Sequence, residues 1–254
     1  MCRHLAYLGS PAAVRDLVIE PPHGLYHQAW APRRQRYGTV NADGFGVGWY
    51  APGDPLPARY RRSLPIWADP SFADLARVTR TTALLGAVRC ATAGTEPGES
   101  AAAPYAAGPW LFSHNGAITG WPDIAVALAD TLPAADLLAL QARCDSALLW
   151  AVVLQRLRAG ASLAAALEGT LALVDAERVA GRFNFLLTDG HAIAATALGD
   201  TLCYRHGEAH VVVASEPGDD EPDWTWVPDG SVLTATAAEV SVRPLAANRR
   251  TATG

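Results

Sequence analysis

The second residue of this chain is a cysteine, and a cysteine at that position can do chemistry that an internal cysteine cannot. Removal of Met1 would leave Cys2 with a thiol and a free α-amino group on the same residue. An α-amino group has a pKa of about 7.7–8.0, so it can accept a proton near neutral pH. N-terminal nucleophile enzymes use their terminal amine to activate the side chain of the same residue. The simpler interpretation is that Cys2 only leads into the first strand.

Three further segments carry residues suited to amide hydrolysis. Arg89 ends an apolar strand, where a guanidinium can bind a carboxylate through two hydrogen bonds, although a lone arginine there is commonly a surface ion pair. Asn115 and Gly116 offer a side-chain amide and a backbone N–H as an oxyanion hole, although Asn-Gly is also a common hairpin turn. Asp145 precedes a long helix, where it could cap the helix or hold a substrate ammonium group. Each segment alone therefore has a structural and a functional interpretation.

The composition narrows the class of protein. Of the 254 residues, 50% are hydrophobic and 18% are charged, so a sizeable buried core is expected. The net charge of −5 favours neither nucleic acid nor an anionic membrane surface as a partner. No signal peptide and no bilayer-spanning apolar run is recognisable, which predicts a cytoplasmic protein. The four cysteines form no CxxC motif, so no metal site is predicted, and His23 with His27 is only a weak candidate pair.

The pattern of apolar residues predicts the elements that hold these side chains. Strands are expected at residues 4–8, 45–50, 58–64, 83–89 and 110–113, with His114 directly after the last of them, and six more after residue 182. A Ser-Pro pair at 10–11 and an Asp-Pro pair at 69–70 predict two helix starts. Further helices are expected at 24–30, 121–132, 133–143, 147–158 and 162–174. Residues 91–108, rich in Ala, Gly, Pro and Ser, predict a mobile surface loop.

Strands at both ends of the chain and helices in its middle predict an α+β fold. Two mainly antiparallel sheets would then have helices covering their outer faces. No repeat or linker divides the chain, so a single domain is expected at 1–245, followed by a disordered tail at 246–254.

Taken together, the chemical segments resemble the class II glutamine amidotransferases, a family of N-terminal nucleophile (Ntn) hydrolases. The shared order is a terminal cysteine, an Arg-x-Ala-Thr strand end, a His-Asn-Gly run and an aspartate before a helix. The resemblance implies a four-layer αββα sandwich of two mainly antiparallel sheets. It also implies a catalytic set of Cys2, Asn115 and Gly116, and a substrate-binding set of Arg89, Thr92, His114 and Asp145.

The reaction implied by this resemblance is cleavage of a γ-glutamyl amide, with no metal or cofactor. Arg89 would bind the carboxylate of the γ-glutamyl group, and Asp145 would balance its ammonium. The Cys2 thiolate would form a thioester while Asn115 and the Gly116 N–H hold the oxyanion.

One departure from the family's sequence pattern bears on the identity of the substrate. Many members continue Arg-Trp-Ala-Thr-His-Gly, whereas residues 89–94 here read Arg-Cys-Ala-Thr-Ala-Gly, which favours a bulkier γ-amide than free glutamine.

Further segments resemble one branch of the family, the γ-glutamyl hydrolases of ergothioneine biosynthesis. These segments are residues 1–5, 28–36, 41–50 and 215–217. The implied small-molecule substrate is γ-glutamyl-hercynylcysteine sulfoxide, whose leaving group carries a trimethylammonium group. Aromatic faces bind such cations, so we expect one or more of four tryptophans on the leaving-group side: Trp30, Trp49, Trp67 and Trp110. A general glutathione-type γ-glutamyl hydrolase, a glutaminase and a non-catalytic γ-glutamyl-binding module are the alternatives. The sequence predicts no oligomeric state.

Overall fold

The computed structural model describes residues 2–95 and 98–246. Within them the α-helices are α1 (Val14–Val18), α2 (Leu25–Gln28), α3 (Pro70–Val78), α4 (Val126–Ala129), α5 (Ala134–Leu138), α6 (Asp145–Arg158) and α7 (Leu163–Ala176). The strands are β1 (Arg3–Ala13), β2 (Phe45–Trp49), β3 (Ala58–Arg62), β4 (Arg80–Val88), β5 (Tyr105–Ala107), β6 (Trp110–Ile118), β7 (Gly181–Thr188), β8 (Ile193–Ala197), β9 (Cys203–His206), β10 (His210–Ala214), β11 (Thr225–Trp226), β12 (Ser231–Ala235) and β13 (Val240–Pro244). Short 3-10 turns lie at Ile66–Ala68, Glu99–Ala101 and Asp123–Ala125.

The strands form two antiparallel sheets. The seven-stranded sheet has the order β11-β9-β10-β1-β4-β2-β3, and the six-stranded sheet has the order β13-β12-β8-β7-β6-β5. Strand β1 lies in the middle of the first sheet, where Arg3 is opposite Val88 of β4 and Leu5 is opposite Ala214 of β10. In the second sheet β6 pairs with the whole of β7, from Leu111 opposite Thr188 to Ile118 opposite Gly181. The amino terminus therefore enters the structure at a central strand.

The two sheets pack face to face, and helices cover their outer faces. Between the sheets, Ala6 and Leu8 of β1 lie in one apolar cluster with Leu111, Leu186 and Leu233 of the six-stranded sheet. Helices α6 and α7 pack on the outer face of the six-stranded sheet, and α1, α2 and α3 pack on that of the other sheet. The α+β fold and its αββα layers, expected from the sequence, are confirmed.

The single domain at 1–245 stays a prediction. The predicted tail at 246–254 lies outside the described residues except for Ala246. No helix in the described part of the chain is long and apolar enough to cross a membrane.

The helix start predicted at Ser10-Pro11 is wrong, because β1 continues past it. After a register shift, Ala12 and Ala13 pair with Thr81 and Arg80 of β4, so helix α1 begins only at Val14. The N-cap residue of α1 is Ala13, whose side chain makes no capping hydrogen bond. Strand pairing with a distant segment therefore overrides the local capping signal. The start predicted at Asp69-Pro70 is confirmed, since the Asp69 carboxylate accepts a hydrogen bond from the Phe72 amide at 3.3 Å.

The surface loop predicted at 91–108 is wrong for its second half. Tyr105 opens strand β5 and pairs with Phe112, and Ala101, Ala102 and Tyr105 are buried. Glu96 and Pro97 lie outside the described residues. The helix predicted at 121–132 is also shorter, because a 3-10 turn precedes the single α-turn of α4.

The interior between the sheets should dominate stability. We expect Leu186→Ala, at a fully buried position of β7, to lower the free energy of unfolding by about 2–5 kcal/mol through lost burial and a residual cavity. Leu138→Ala in α5 is the matched control, because that leucine is 89% exposed and should change stability by less than about 0.5 kcal/mol. Urea unfolding of both variants measures the difference, and equal midpoints would contradict this account of the core.

Candidate active site

Cys2 lies at the beginning of β1, half-buried beside the end of β4. Its Sγ donates a long hydrogen bond of 3.8 Å to the Cys90 carbonyl oxygen. Burial raises the pKa of the Cys2 thiol, while the positive charges of the chain's amino terminus and of Arg89 oppose that rise. The thiol is therefore the resting form at neutral pH, and a nucleophilic role would require a base to remove its proton.

Asn115 and Gly116 lie inside β6, not in a hairpin turn. Asn115 is opposite Asn184 of β7, and its side-chain amide donates to the Ser215 hydroxyl at 3.4 Å. The same hydroxyl accepts a hydrogen bond from the backbone N–H of His4 at 3.0 Å. Ser215 therefore joins the two sheets at a point two residues from Cys2, and Asn115 is brought close to the predicted nucleophile.

Glycine is required at position 116 by its neighbours. A Cβ atom there would lie 1.9 Å from the carbonyl oxygen of Arg182 and 2.5 Å from His114 Nε2, distances that no real side chain shows. The predicted oxyanion donor is therefore the backbone N–H of a position that only glycine can occupy.

The Arg89 side chain is buried and held by neutral groups. Its Nη1 donates to the Asp43 carbonyl oxygen at 3.2 Å, and its Nη2 donates to the Thr95 hydroxyl at 3.1 Å. The Asp43 carboxylate in turn accepts the Ala91 backbone N–H at 2.8 Å. These bonds fix the guanidinium beside the end of β4 while leaving it without a carboxylate hydrogen-bond partner among the described residues.

Asp145 is the first residue of α6 and ties three segments together. Its carboxylate accepts hydrogen bonds from the Thr92 hydroxyl at 3.0 Å, the Ile118 N–H at 3.1 Å and the Ser146 N–H at 2.8 Å. The N-cap position itself is taken by Cys144, whose side chain makes no cap. Thr92 and Asp145 are 53 residues apart in sequence and directly bonded in the structure.

The ring of His114 lies on the opposite face of β6 from the side chain of Asn115. Side chains alternate along a strand, so the ring of His114 points away from the side of Asn115. It lies near Phe183, with Nδ1 3.0 Å from the Ser146 hydroxyl and Nε2 2.9 Å from the Arg182 carbonyl oxygen. Because a carbonyl only accepts, Nε2 carries the proton. Burial lowers the pKa of this imidazole. Both ring nitrogens are occupied, which disfavours the direct substrate contact expected from the sequence.

The chain was compared with known proteins. Residues 23–206 match the family described as Glutamine amidotransferases class-II. A gamma-glutamyl-hercynylcysteine sulfoxide hydrolase of Mycolicibacterium smegmatis is 40% identical over 245 residues, covering 96% of this chain and 100% of that protein. A protein of the same name from Mycobacterium tuberculosis is also 40% identical, with 97% of its length covered. The chain belongs to the class II glutamine amidotransferase family.

Solved structures agree with this amidotransferase assignment at the level of the fold. A glutamine aminotransferase class-II domain protein from Silicibacter pomeroyi superposes with a TM-score of 0.67 at 24% identity, covering 96% of this chain and 99% of that one. The glutamine phosphoribosylpyrophosphate amidotransferase of B. subtilis gives a TM-score of 0.69 at 17% identity, covering 97% of this chain and 50% of the other.

The sequence did not single out a polar cluster that surrounds the start of β1 in this amidotransferase. Arg3 is fully buried, donating from Nε to Gln35 at 3.3 Å and from Nη1 to Thr201 at 3.5 Å. His4 Nδ1 lies 3.1 Å from the Ser113 hydroxyl on the facing sheet. Burial, with the nearby Arg3 charge, lowers the pKa of His4 to about 3. The signal in the sequence that could have identified Arg3 and His4 is their position directly after Cys2.

Residues 31–43, here called the entrance loop, cross the same end of the two sheets. The Glu216 carboxylate accepts the backbone N–H groups of Arg33 at 2.9 Å and Arg34 at 2.6 Å, which anchors the loop. Gln35 receives the hydrogen bond from Arg3, and the ring of Tyr37 lies 4.2 Å from the guanidinium carbon of Arg182. The loop therefore contacts a residue of each sheet next to the predicted site.

The weak metal candidates of the sequence do not form a site. His23 Nε2 lies 2.9 Å from an Asp220 carboxylate oxygen, and His27 packs against Trp30. Among the described residues no group of three or more His, Cys, Asp and Glu side chains is placed to hold a metal ion.

The buried neutral His4 should make stability depend on pH. The unfolded chain binds a proton at this residue below its usual pKa near 6.5, whereas the folded protein does so only near 3. Stability should therefore fall on acidification, by up to about 1.4 kcal/mol per pH unit from this group alone. Urea unfolding at pH 7, 6 and 5 should show a shallower decline in His4→Asn than in the wild type. The exposed His206, changed to Asn, is the control, and parallel curves for wild type and His4→Asn would contradict the assignment.

Proposed function

We propose that this amidotransferase-family chain hydrolyses the γ-glutamyl amide of γ-glutamyl-hercynylcysteine sulfoxide and releases glutamate. The proposal rests on the full-length 40% identity to the mycobacterial hydrolases of that name. The arrangement around Cys2 supports it, because a nucleophile, a cationic group, an anionic group and an oxyanion donor lie at one end of the two sheets. A cytoplasmic location is part of the proposal, in keeping with the four free cysteines.

Arg89 and Asp145 would recognise the α-amino acid end of the γ-glutamyl group. The present partners of Arg89 are neutral, so a substrate carboxylate would be a stronger, charge-assisted partner for its guanidinium. A carboxylate has about four acceptor sites, and Asp145 uses three of them at 3.1 Å or less. The Ser146 hydroxyl, which bonds His114 Nδ1 at 3.0 Å, is a more distant neighbour at 3.5 Å. The remaining acceptor capacity of Asp145 suits a substrate ammonium. Thr92, bonded to Asp145, would keep that carboxylate oriented.

The proposed chemistry begins once Met1 has been removed. The Cys2 amine takes the proton from its own thiol, and the sulfur attacks the γ-carbonyl carbon. Asn115 Nδ2 and the Gly116 N–H stabilise the oxyanion. The 3.4 Å bond from Asn115 to Ser215 is long, so little is lost when the amide turns to the oxyanion. The amine then returns the proton to the leaving nitrogen, a thioester remains, and water hydrolyses it to glutamate and free thiol.

His114 has a positioning role in this proposal. Its Nδ1 bonds Ser146, which follows Asp145 at the start of α6, and its Nε2–H bonds the carbonyl oxygen next to Gly116. The imidazole therefore connects the predicted ammonium site with the predicted oxyanion donor without contacting substrate.

The deciding experiment compares glutamate release from substrates that differ in their leaving group. The purified protein, with Cys2 verified as the first residue, is given γ-glutamyl-hercynylcysteine sulfoxide, γ-glutamylcysteinylglycine and glutamine, and glutamate release is measured. We expect the first substrate to have the highest kcat/KM by at least about tenfold, or ~1.4 kcal/mol in transition-state binding. Equal rates would favour the general γ-glutamyl hydrolase, a preference for glutamine would favour a glutaminase, and no release from any of them would favour a binding module.

The N-terminal amine should matter as much as the thiol. A sample that retains Met1, or carries an N-terminal tag, has an amide in place of the basic amine and should be folded but inactive. Cys2→Ala should be inactive as well, and Cys2→Ser slow or inactive because a hydroxyl is far less acidic than a thiol. Mass spectrometry identifies the first residue of each sample, and a C-terminally tagged protein is the control. Full activity with Met1 verified as present would rule out the amine as base.

The two charged residues should set specificity for the γ-glutamyl end. Removing one member of a buried charge pair costs about 2–5 kcal/mol, so Arg89→Lys and Asp145→Asn should each lower kcat/KM at least tenfold. The exposed ion pair of Arg77 and Asp74 on α3 provides matched controls, since Arg77→Lys and Asp74→Asn should leave the rates unchanged. Wild-type kcat/KM in both site variants would show that these residues are wrongly assigned.

A further inference from the structure

A cavity of about 260 Å³ lies beside the candidate site and has no role in the chemistry above. Its lining residues include two aspartates, one arginine and one tryptophan, together with small polar and apolar residues. The charged and aromatic members are Arg36 of the entrance loop, Asp200, Trp226 and Asp229.

The cavity is placed on the opposite side of Cys2 from Arg89. Arg89 follows β4, which flanks β1 on one side, whereas Trp226 and the neighbours of β9 belong to the other side of β1. Thr201 lines the cavity, and its hydroxyl is 3.5 Å from Nη1 of Arg3, the residue after Cys2. A substrate with its γ-glutamyl end at Arg89 would therefore extend its leaving group across Cys2 toward this cavity.

The cavity also borders the residues that surround the predicted oxyanion hole. Asn184 lies opposite Asn115 in the β6–β7 pair. Its side-chain amide donates to the Asp200 carbonyl oxygen at 2.9 Å, and its own oxygen accepts the Asp200 N–H at 3.2 Å. These bonds hold the Asp200 backbone at the wall of the cavity, while its side chain is fully buried.

One oxygen of that carboxylate has no hydrogen-bond partner in the described structure. Asp200 is only 6% exposed, and its Oδ2 accepts a hydrogen bond from Arg182 Nε at 3.2 Å, while Oδ1 is buried and unpartnered. Burial raises the pKa of this carboxyl against the opposing charges of Arg3 and Arg182. The side chain of Asp200 is nevertheless fully buried and ion-paired with Arg182, so it offers the cavity only a charge at a distance. The exposed Asp229 is the carboxylate that a cation in the cavity could contact.

Trp226 offers a surface of the kind that quaternary cations prefer. Trp226 is 44% exposed and lines both this cavity and a neighbouring one. The Arg34 guanidinium, which lines only the neighbouring cavity of the two, lies 5.6 Å from the ring centroid. A quaternary ammonium has no N–H to donate, so an aromatic face and a carboxylate charge are what can recognise it.

We propose that this cavity binds the betaine end of the leaving group, with the trimethylammonium beside Trp226 and Asp229 and the betaine carboxylate at Arg36. The inference rests on the proposed function for the identity of the leaving group.

This site replaces the four tryptophans that the sequence suggested for the leaving-group side. Trp30 and Trp67 pack edge-to-face against each other, Trp49 packs into the outer cluster of the seven-stranded sheet, and Trp110 packs into the cluster under α6.

Direct binding tests the site without relying on catalysis. Calorimetric titration of the full-length protein with hercynine, the trimethylated betaine of histidine, should show saturable binding that histidine at the same concentrations does not show. Trp226→Leu should weaken hercynine binding at least about fivefold, as expected for the loss of one aromatic contact with a quaternary ammonium. Trp67→Leu is the matched control, because Trp67 is 38% exposed on the far side of the sheet, and it should bind like the wild type.

The two ends of the ligand can be separated. Arg36→Gln should weaken binding of hercynine but not of trimethylhistamine, which lacks the carboxylate, whereas Trp226→Leu should weaken binding of both. Arg36 is exposed, so this variant is expected to fold. An absence of saturable hercynine binding, or binding that neither variant changes, would overturn the proposed site.

Kinetics separate a failure of this site from a failure of the proposed function. With γ-glutamyl-hercynylcysteine sulfoxide, Trp226→Leu should raise KM at least about fivefold, and with the counterpart that lacks the N-methyl groups the change should be smaller than twofold. Glutamate release by the wild type with unchanged KM in Trp226→Leu would remove the betaine site and leave the function. No release by the wild type, together with hercynine binding that is weakened in Trp226→Leu, would remove the function and leave the site.

Discussion

Strand β1 carries the amino terminus into the middle of a seven-stranded sheet, with β4 hydrogen-bonded on one side and β10 on the other. Chain termini usually fray because few backbone groups hold them. Here Arg3 and His4 pair with β4 on one side, and the His4 backbone also bonds Ser215, directly after β10, on the other. Cys2 is therefore attached to a firmly held strand. A nucleophile at a chain terminus requires such a constraint, since the reacting sulfur must keep its distance to the oxyanion donors. The other features of the site are arranged around this strand.

Polar contacts between the two sheets supply the second part of that constraint. Apolar packing holds the sheets together but specifies their relative position only loosely. At the end near Cys2, His4 contacts Ser113 and Asn115 contacts Ser215, so two side-chain hydrogen bonds connect the sheets there. Buried polar groups lose much stability when unpaired, and these pairs therefore favour a single alignment of the sheets. That alignment places Asn115 and Gly116 against the terminus of β1.

Local patterns in the sequence predicted the elements better than they predicted the contacts between them. The Asp69 cap depends on a residue three positions away, and it was predicted correctly because such an interaction is visible in the sequence. The Ser10-Pro11 helix start failed because the outcome depends on pairing with Thr81 and Arg80, about 70 residues away. The same limit applies to the site. Arg3 and Thr201 are 198 residues apart, and no spacing rule relates them.

The resemblance to a family supplied what local patterns could not, but it did not supply side-chain direction. The run 114–116 was expected as a unit, yet strand alternation turns His114 toward α6 and Asn115 toward the other sheet. Recognising β6 as one strand through residue 118, instead of ending it at 113, would have separated the two roles from sequence alone.

The buried cations near Cys2 share a feature that bears on how a charged substrate is accepted. Arg89 donates to a carbonyl and a hydroxyl, and Arg3 donates to the Gln35 amide and the Thr201 hydroxyl. In each case the guanidinium is buried and its hydrogen-bond acceptors are neutral, although the charges of Glu216 and Asp200 lie near Arg3. Hydrogen bonds to ionised acceptors are roughly twice as strong as neutral ones, so a carboxylate that replaces a neutral partner gains interaction without a new desolvation cost on the protein side. Asp145 is the anionic counterpart: all of its hydrogen-bond donors are uncharged, so a cationic partner would likewise be a stronger one.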